Sequence, residues 1–151
     1  MNTSPAVAPH APSASALTSK RRDAFKNLTE ASGRVLLAVL FLLSGVGKLG
    51  AYKATAAYMA SVGVPRALLP AVIATELLGS LAIILGWKVR VAAFLLAGFS
   101  VLTALTFHNN LADQTQMIMF FKNLSIAGGF LLLVANGAGP FSLDRRFASG
   151  L

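Results

Sequence analysis

The chain has 151 residues and a formal net charge of +8; 56% of its residues are hydrophobic and 12% are charged. Soluble domains carry about 25% charged residues, so this composition leaves too little polar surface to cover a water-soluble globule. The sequence contains no cysteine, which excludes disulfides, iron–sulfur clusters and thiolate zinc sites, and we expect no metal site. The basic residues accompany apolar runs without any groove-reading motif, which indicates a lipid surface rather than nucleic acid as the partner.

The first part of the chain differs in composition from the rest. Residues 1–31 are rich in Ala, Ser, Thr and Pro, with prolines at positions 5, 9 and 12. A segment with so few apolar residues cannot offset the entropy lost on ordering. The composition therefore predicts a disordered tail over residues 1–31.

Four apolar segments follow, and each approaches the ~20 residues that a helix needs to cross the hydrocarbon core. They run over residues 34–50, 67–87, 91–107 and 117–136. Between the first two, residues 51–65 predict a short interfacial helix that ends near Gly63, because Pro65 prevents its continuation. The sequence thus predicts an all-α integral membrane four-helix bundle over residues 32–147 and a C-terminal tail over residues 148–151.

The basic residues also predict the topology. With four spans, nine of the thirteen Lys and Arg fall on the side where the first span begins. These nine are Lys20, Arg21, Arg22, Lys26, Arg34, Lys88, Arg90, Arg145 and Arg146. Because cytoplasmic loops carry the excess of Lys and Arg, we expect both termini in the cytoplasm and the spans in a bacterial inner membrane.

Each predicted span contributes one ionisable residue to the outer half of the membrane. From the helical rise, Lys48 lies ~21 Å above the cytoplasmic end of the first span, while Glu76 and Lys122 lie ~14 Å and ~9 Å below the outer surface. His108 ends the third span. Charges inside a membrane usually face the bundle interior and find partners, so we expect Glu76 to pair with Lys48 or Lys122.

The polar cluster has two interpretations. In the functional one, Glu76, Lys48, Lys122 and His108 bind a ligand or relay protons. In the structural one, the ion pair only fixes the packing of the helices, since buried pairs are weak stabilisers. Asn123 is a candidate for a structural hydrogen bond between helices.

Several short motifs follow one another over roughly residues 33–147. The motifs are L-F-L-L-S-G-V-G-K at 40–48, G-V-P at 63–65, F-K-N-L-S-I-A-G-G at 121–129 and G-P-F-S-L-D-R-R at 139–146, with Glu76, Gly79, Gly86, Arg90 and His108 between them. In this order they resemble the motifs of the DoxX family of bacterial inner-membrane proteins. The resemblance implies a four-helix membrane fold. It also implies a loose association with redox chemistry, since the name-giving relatives form part of a thiosulfate:quinone oxidoreductase.

Three functions remain open from the sequence. The first is a redox-associated membrane subunit, working with a partner protein or as a homo-oligomer, that binds a quinone-like or small anionic ligand at the polar cluster. The second is a non-catalytic scaffold or assembly factor, and the third is a small proton-coupled exporter built around Glu76. No self-contained catalytic motif is present, so enzymatic activity is left undecided.

Overall fold

The computed structural model describes residues 13–148, and these residues form an all-helical bundle. The helices are, in chain order, α1 (Ala14–Gly50), α2 (Tyr52–Ser61), α3 (Leu69–Leu85), α4 (Val89–Phe107), α5 (Gln114–Asn136) and α6 (Leu143–Ala148). A 3-10 turn, Arg66–Leu68, leads directly into α3. Within residues 13–148, four helices are long and apolar enough to cross a membrane: α1, the turn together with α3, α4 and α5. The prediction of a four-helix membrane bundle is therefore confirmed.

The first helix is much longer than its predicted span. It covers 37 residues, which corresponds to ~55 Å, whereas the hydrocarbon core is ~30 Å thick. The expectation of disorder is therefore wrong for residues 14–31, while residues 1–12 lie outside the described part of the chain. After Pro12 the sequence has no proline or glycine until Gly33, and Lys26 and Glu30 approach to 3.8 Å one turn apart. A stretch without helix breakers can continue a helix that a span has nucleated, because propagation costs far less than nucleation.

The short helix α2 lies between the first two spans, as predicted. It ends before Gly63, whose φ of +80° lies in the left-handed region that glycine adopts without strain. Met59 is buried and packs with Leu69 and Ile73 of the bundle. The helix therefore covers one end of the bundle.

The spanning helices pack most extensively as α1 on α3 and α4 on α5, with α3 on α4 joining the two pairs. The main core lies between them and is rich in alanine, with Phe41, Ile83, Leu96 and Phe130 as its largest members. The ring of Phe41 meets those of Phe130 and Phe99 edge-on, at centroid distances of 5.4 and 6.3 Å. This core separates two ends of the bundle, one covered by α2 and one closed by the segment before α6.

The C-terminal segment closes the second end, which we call the basic end after Arg34, Lys88 and Arg90. The backbone N–H of Asp144 donates to the carbonyl of Gly86 at 2.9 Å. Its carboxylate accepts from the backbone N–H groups of Lys88 at 2.6 Å and Val89 at 3.0 Å, where α4 begins. The expected C-terminal tail falls on Ala148, the last residue of α6, and on residues 149–151, which lie outside the described part.

Candidate functional site

Glu76 and Lys48 form an ion pair inside the bundle. The Lys48 Nζ lies 2.8 Å from Oε1 and 2.9 Å from Oε2 of Glu76, so the ammonium contacts both carboxylate oxygens. The Glu76 side chain is only 4% exposed, while that of Lys48 is 25% exposed. The structure thus selects Lys48, rather than Lys122, as the partner of Glu76.

Ser44 completes this network. Its hydroxyl donates to Glu76 Oε1 at 3.1 Å and accepts from Lys48 Nζ at 2.6 Å. Ser44 and Lys48 are four residues apart on α1 and therefore lie on one face of the helix. The carboxylate of Glu76 accepts hydrogen bonds from both residues, and the three side chains together are electrically neutral.

Gly45 allows α1 to approach α3 closely enough for this pairing. A Cβ atom at position 45 would lie 2.7 Å from Leu77 Cδ2 and 3.3 Å from Glu76 Cβ. Small residues at helix interfaces in membranes permit such backbone approach. The position of the ion pair therefore depends on a glycine next to Ser44.

The ion pair forms part of the wall of a cavity of about 350 Å³ beneath α2. We call this the outer cavity, after the orientation that the sequence predicts. Its apolar wall includes Phe41, Met59, Leu68, Val72, Phe99 and Phe107. Its polar wall consists of Ser44, Lys48, Thr55, Tyr58, Glu76, Thr103, His108, Lys122 and Asn123. The cavity therefore brings all four ionisable residues of the predicted cluster to one space.

His108 lies at the C-terminal end of α4 and is held by the following helix. One ring nitrogen, Nδ1, is 2.8 Å from Gln116 Oε1. Gln116 is itself fixed, because its backbone N–H donates to the side chain of Asp113, which caps α5 at 2.8 Å. His108 is thus oriented at the rim of the outer cavity rather than simply solvated.

Lys122 and Asn123 reach the cavity from α5. The Lys122 ammonium contacts Met119 Sδ at 3.0 Å, and the side chain is otherwise exposed. The Asn123 side-chain amide donates to the carbonyl of Met119 at 2.9 Å, within its own helix. The hydrogen bond expected between helices at Asn123 is therefore formed inside α5 instead.

A second polar network, at the basic end, was not singled out from the sequence. The buried Arg34 guanidinium donates to the carbonyl of Phe141 at 2.6 Å and also to that of Ala138. A Cβ atom at Gly86 would lie 2.5 Å from Ser142 Cβ, and its φ is +74°. The G-P-F-S-L-D motif therefore fastens the C-terminal segment to α1 and to the α3–α4 turn. No pattern in the sequence around Arg34 indicates that its side chain contacts the C-terminal segment.

No group of three or more His, Asp or Glu side chains within residues 13–148 is placed to hold a metal ion. The arrangement can instead hold a small molecule. The outer cavity offers ammonium, hydroxyl and amide donors together with aromatic surface. Small-molecule sites commonly have this composition.

The four spanning helices of the described residues and the cavity between them, with its polar cluster, define a multi-pass membrane protein with a candidate binding site. A family model described as DoxX matches residues 31–109. The chain belongs to the DoxX family.

Two curated relatives cover most of the chain. Inner membrane protein YqjF of Escherichia coli strain K12 is 47% identical over 112 residues, which are 74% of this chain and 86% of that protein. Inner membrane protein YphA of the same organism is 39% identical over 121 residues, which are 75% of this chain and 86% of that protein. No solved structure matches the chain significantly.

Proposed function

We propose that the chain is a redox-associated subunit of the bacterial inner membrane that binds a quinone-like ligand in the outer cavity. The observation that carries this proposal is the cavity itself, which has apolar walls and a cluster of hydrogen-bonding groups. Its volume of about 350 Å³ lies at the lower end of the range for small-molecule sites, ~300–1,000 Å³. A single ring system fits such a volume better than a large cofactor does.

The chemistry of the walls favours this ligand class. A quinone presents carbonyl oxygens that accept hydrogen bonds, and the ammonium group of Lys122 can donate them. The rings of Phe99 and Phe107 offer surface for stacking against the ligand ring. A small free anion without an apolar body is a poorer occupant, because most of the wall is apolar.

The proposal also includes the location of the protein in the inner membrane and the side of the membrane that its cavity faces. Both relatives are named as inner membrane proteins. Nine of the thirteen Lys and Arg lie on the side of the basic end, which the positive-inside rule assigns to the cytoplasm. The outer cavity then opens toward the periplasmic half of the membrane. The chain has no cysteine, so electrons would come from a partner protein or a diffusible carrier.

A scaffold or assembly role is the second candidate, and one observation favours it. Glu76 has both carboxylate oxygens engaged by Lys48 and Ser44, as expected of a pair that only fixes helix packing. The same engagement argues against an exporter, since a proton carrier needs a carboxylate that titrates freely. Binding of a ligand in the cavity distinguishes the first candidate from the scaffold.

Thermal unfolding of the purified protein with a decyl-substituted benzoquinone tests the proposal. A ligand that binds the folded state raises Tm in a concentration-dependent way. We expect this rise in the wild type and in Val101→Phe, whose side chain is exposed on α4 outside the cavity. Thr103→Phe, two residues further on, fills the cavity and should abolish the rise. The same shift in both variants, or none in the wild type, would contradict quinone binding in the cavity.

A further inference from the structure

Among the described residues, Lys122 is the lysine of the outer cavity that no carboxylate neutralises. It lies eight residues after the start of α5, ~12 Å along the helix. Its ammonium contacts Met119 Sδ at 3.0 Å, and a thioether sulfur is a weak, uncharged acceptor. Within residues 13–148, no carboxylate lies within ion-pair distance of it.

The other lysine of the cavity, Lys48, is paired with a carboxylate. Lys48 contacts both oxygens of Glu76, at 2.8 and 2.9 Å, and Ser44 completes that network. The carboxylate in the cavity wall is therefore engaged by Lys48. Counting Lys48, Glu76 and Lys122 together, the wall carries one excess positive charge, located at Lys122.

An unneutralised cation within a span is costly and marks a ligand pathway more often than a structural contact. A lysine can also extend its chain toward water, which lowers that cost. Lys122 lines the same cavity as Asn123 and the aromatic side chains. The cavity therefore gives its ammonium a second environment, in which it faces an occupant. An occupant with an acidic oxygen would neutralise it.

We propose that Lys122 is the counter-ion of the ligand and that the ligand is an amphipathic, singly negative molecule of the hydroxyquinone type. The inference rests on the proposed function and narrows it. The apolar body of the ligand occupies the space lined by Phe99 and Phe107, and its ionised oxygen accepts from the Lys122 ammonium. Lys48 remains with Glu76 and Ser44, whose oxygens already accept from its ammonium.

Two probes of one skeleton test this assignment. The first is a 2-hydroxy-3-alkyl-1,4-naphthoquinone, which is ionised at neutral pH, and the second is its neutral 2-methoxy ether. Hydrogen bonds to charged groups are stronger than neutral ones, so we expect the wild type to bind the acidic probe at least about tenfold more tightly. Lys122→Met should remove this preference and leave the affinity for the ether within about twofold.

Two further variants serve as controls. Lys122→Arg keeps the charge and should keep a preference for the acidic probe. Lys53→Met removes a lysine that is exposed on α2 and outside the cavity wall, and it should behave as the wild type. A preference for the acidic probe that persists in Lys122→Met would show that Lys122 is not the counter-ion.

Binding of the two probes to the wild type distinguishes failure of the Lys122 assignment from failure of the proposed function. If the wild type binds both probes equally, the assignment of Lys122 fails while ligand binding in the cavity stands. If the wild type binds neither probe, the proposed function fails and the assignment fails with it. Because this comparison needs no variant, it holds even if Lys122→Met does not fold.

Discussion

Replacing Lys48 by methionine removes the partner of a buried carboxylate and should destabilise the bundle. Glu76 is 4% exposed and loses two contacts, at 2.8 and 2.9 Å, while the hydrogen bond from Ser44 remains. Methionine has nearly the length of lysine and fills the same space without charge. The perturbation is therefore mainly electrostatic.

Two known energies bound the loss of unfolding free energy that we expect for Lys48→Met. Removing one partner of a buried ion pair costs ~3–5 kcal/mol in soluble proteins. Hydrogen bonds between membrane helices average ~0.6 kcal/mol and reach ~1.7 kcal/mol. Lys48 is 25% exposed, and Ser44 still serves Glu76, so we expect Lys48→Met to lower the free energy of unfolding by about 2 kcal/mol. Glu76→Gln should cost less, about 1 kcal/mol, because Lys48 can then turn toward water.

The double variant Lys48→Met/Glu76→Gln measures the coupling. With neither charge left, stability should return to within about 1 kcal/mol of the wild type. Unfolding in detergent can be followed through Trp87, the single tryptophan. Additive losses in the double variant would refute the pairing. Restored stability without restored quinone binding would show that the pair serves the ligand site as well as the packing.

Three predictions concern the rest of the fold. Gly86→Ala should lower the free energy of unfolding by about 2 kcal/mol or more, because φ at this position is +74° and the new Cβ meets Ser142. Gly47→Ala, which has open space around the new Cβ, should not lower it. Thermal unfolding of both variants checks this difference. Asp144→Asn weakens the cap of α4 and should cost about 1 kcal/mol in the same assay. Alkaline phosphatase fused after Leu151 should be inactive, and an active fusion would contradict the cytoplasmic C-terminus.

The spans could be predicted because apolar runs of helical length have few alternatives in a chain with 12% charged residues. The predicted starts at residues 91 and 117 differ from the observed starts of α4 and α5 by two and three residues. Helix termini are polar and carry little apolar signal, which explains these differences. The extension of α1 was missed because a polar exposed helix and a disordered tail have similar compositions.

The sequence predicts how far along its helix each residue of the cluster lies, but not which neighbouring helix its side chain faces. Counting residues places Lys48, Glu76 and Lys122 at similar heights, yet the choice of partner depends on how each helix is rotated. A signal for Glu76 was present in the sequence, since it falls on the buried stripe of α3 at positions 69, 73, 76, 80 and 83. The contacts of Arg34 with the C-terminal segment lie 104 and 107 residues apart in the chain. No local pattern reports such contacts.

The identity of the cavity's occupant is the central claim, and extraction of the purified protein tests it most directly. Mass spectrometry of the extracted small molecules should show a quinone-class compound in near-stoichiometric amount with the wild type and with Val101→Phe. Thr103→Phe, which fills the cavity, should yield little of it. Equal amounts from all three proteins would assign the compound to bulk lipid, and its absence from the wild type would contradict a quinone site in this cavity.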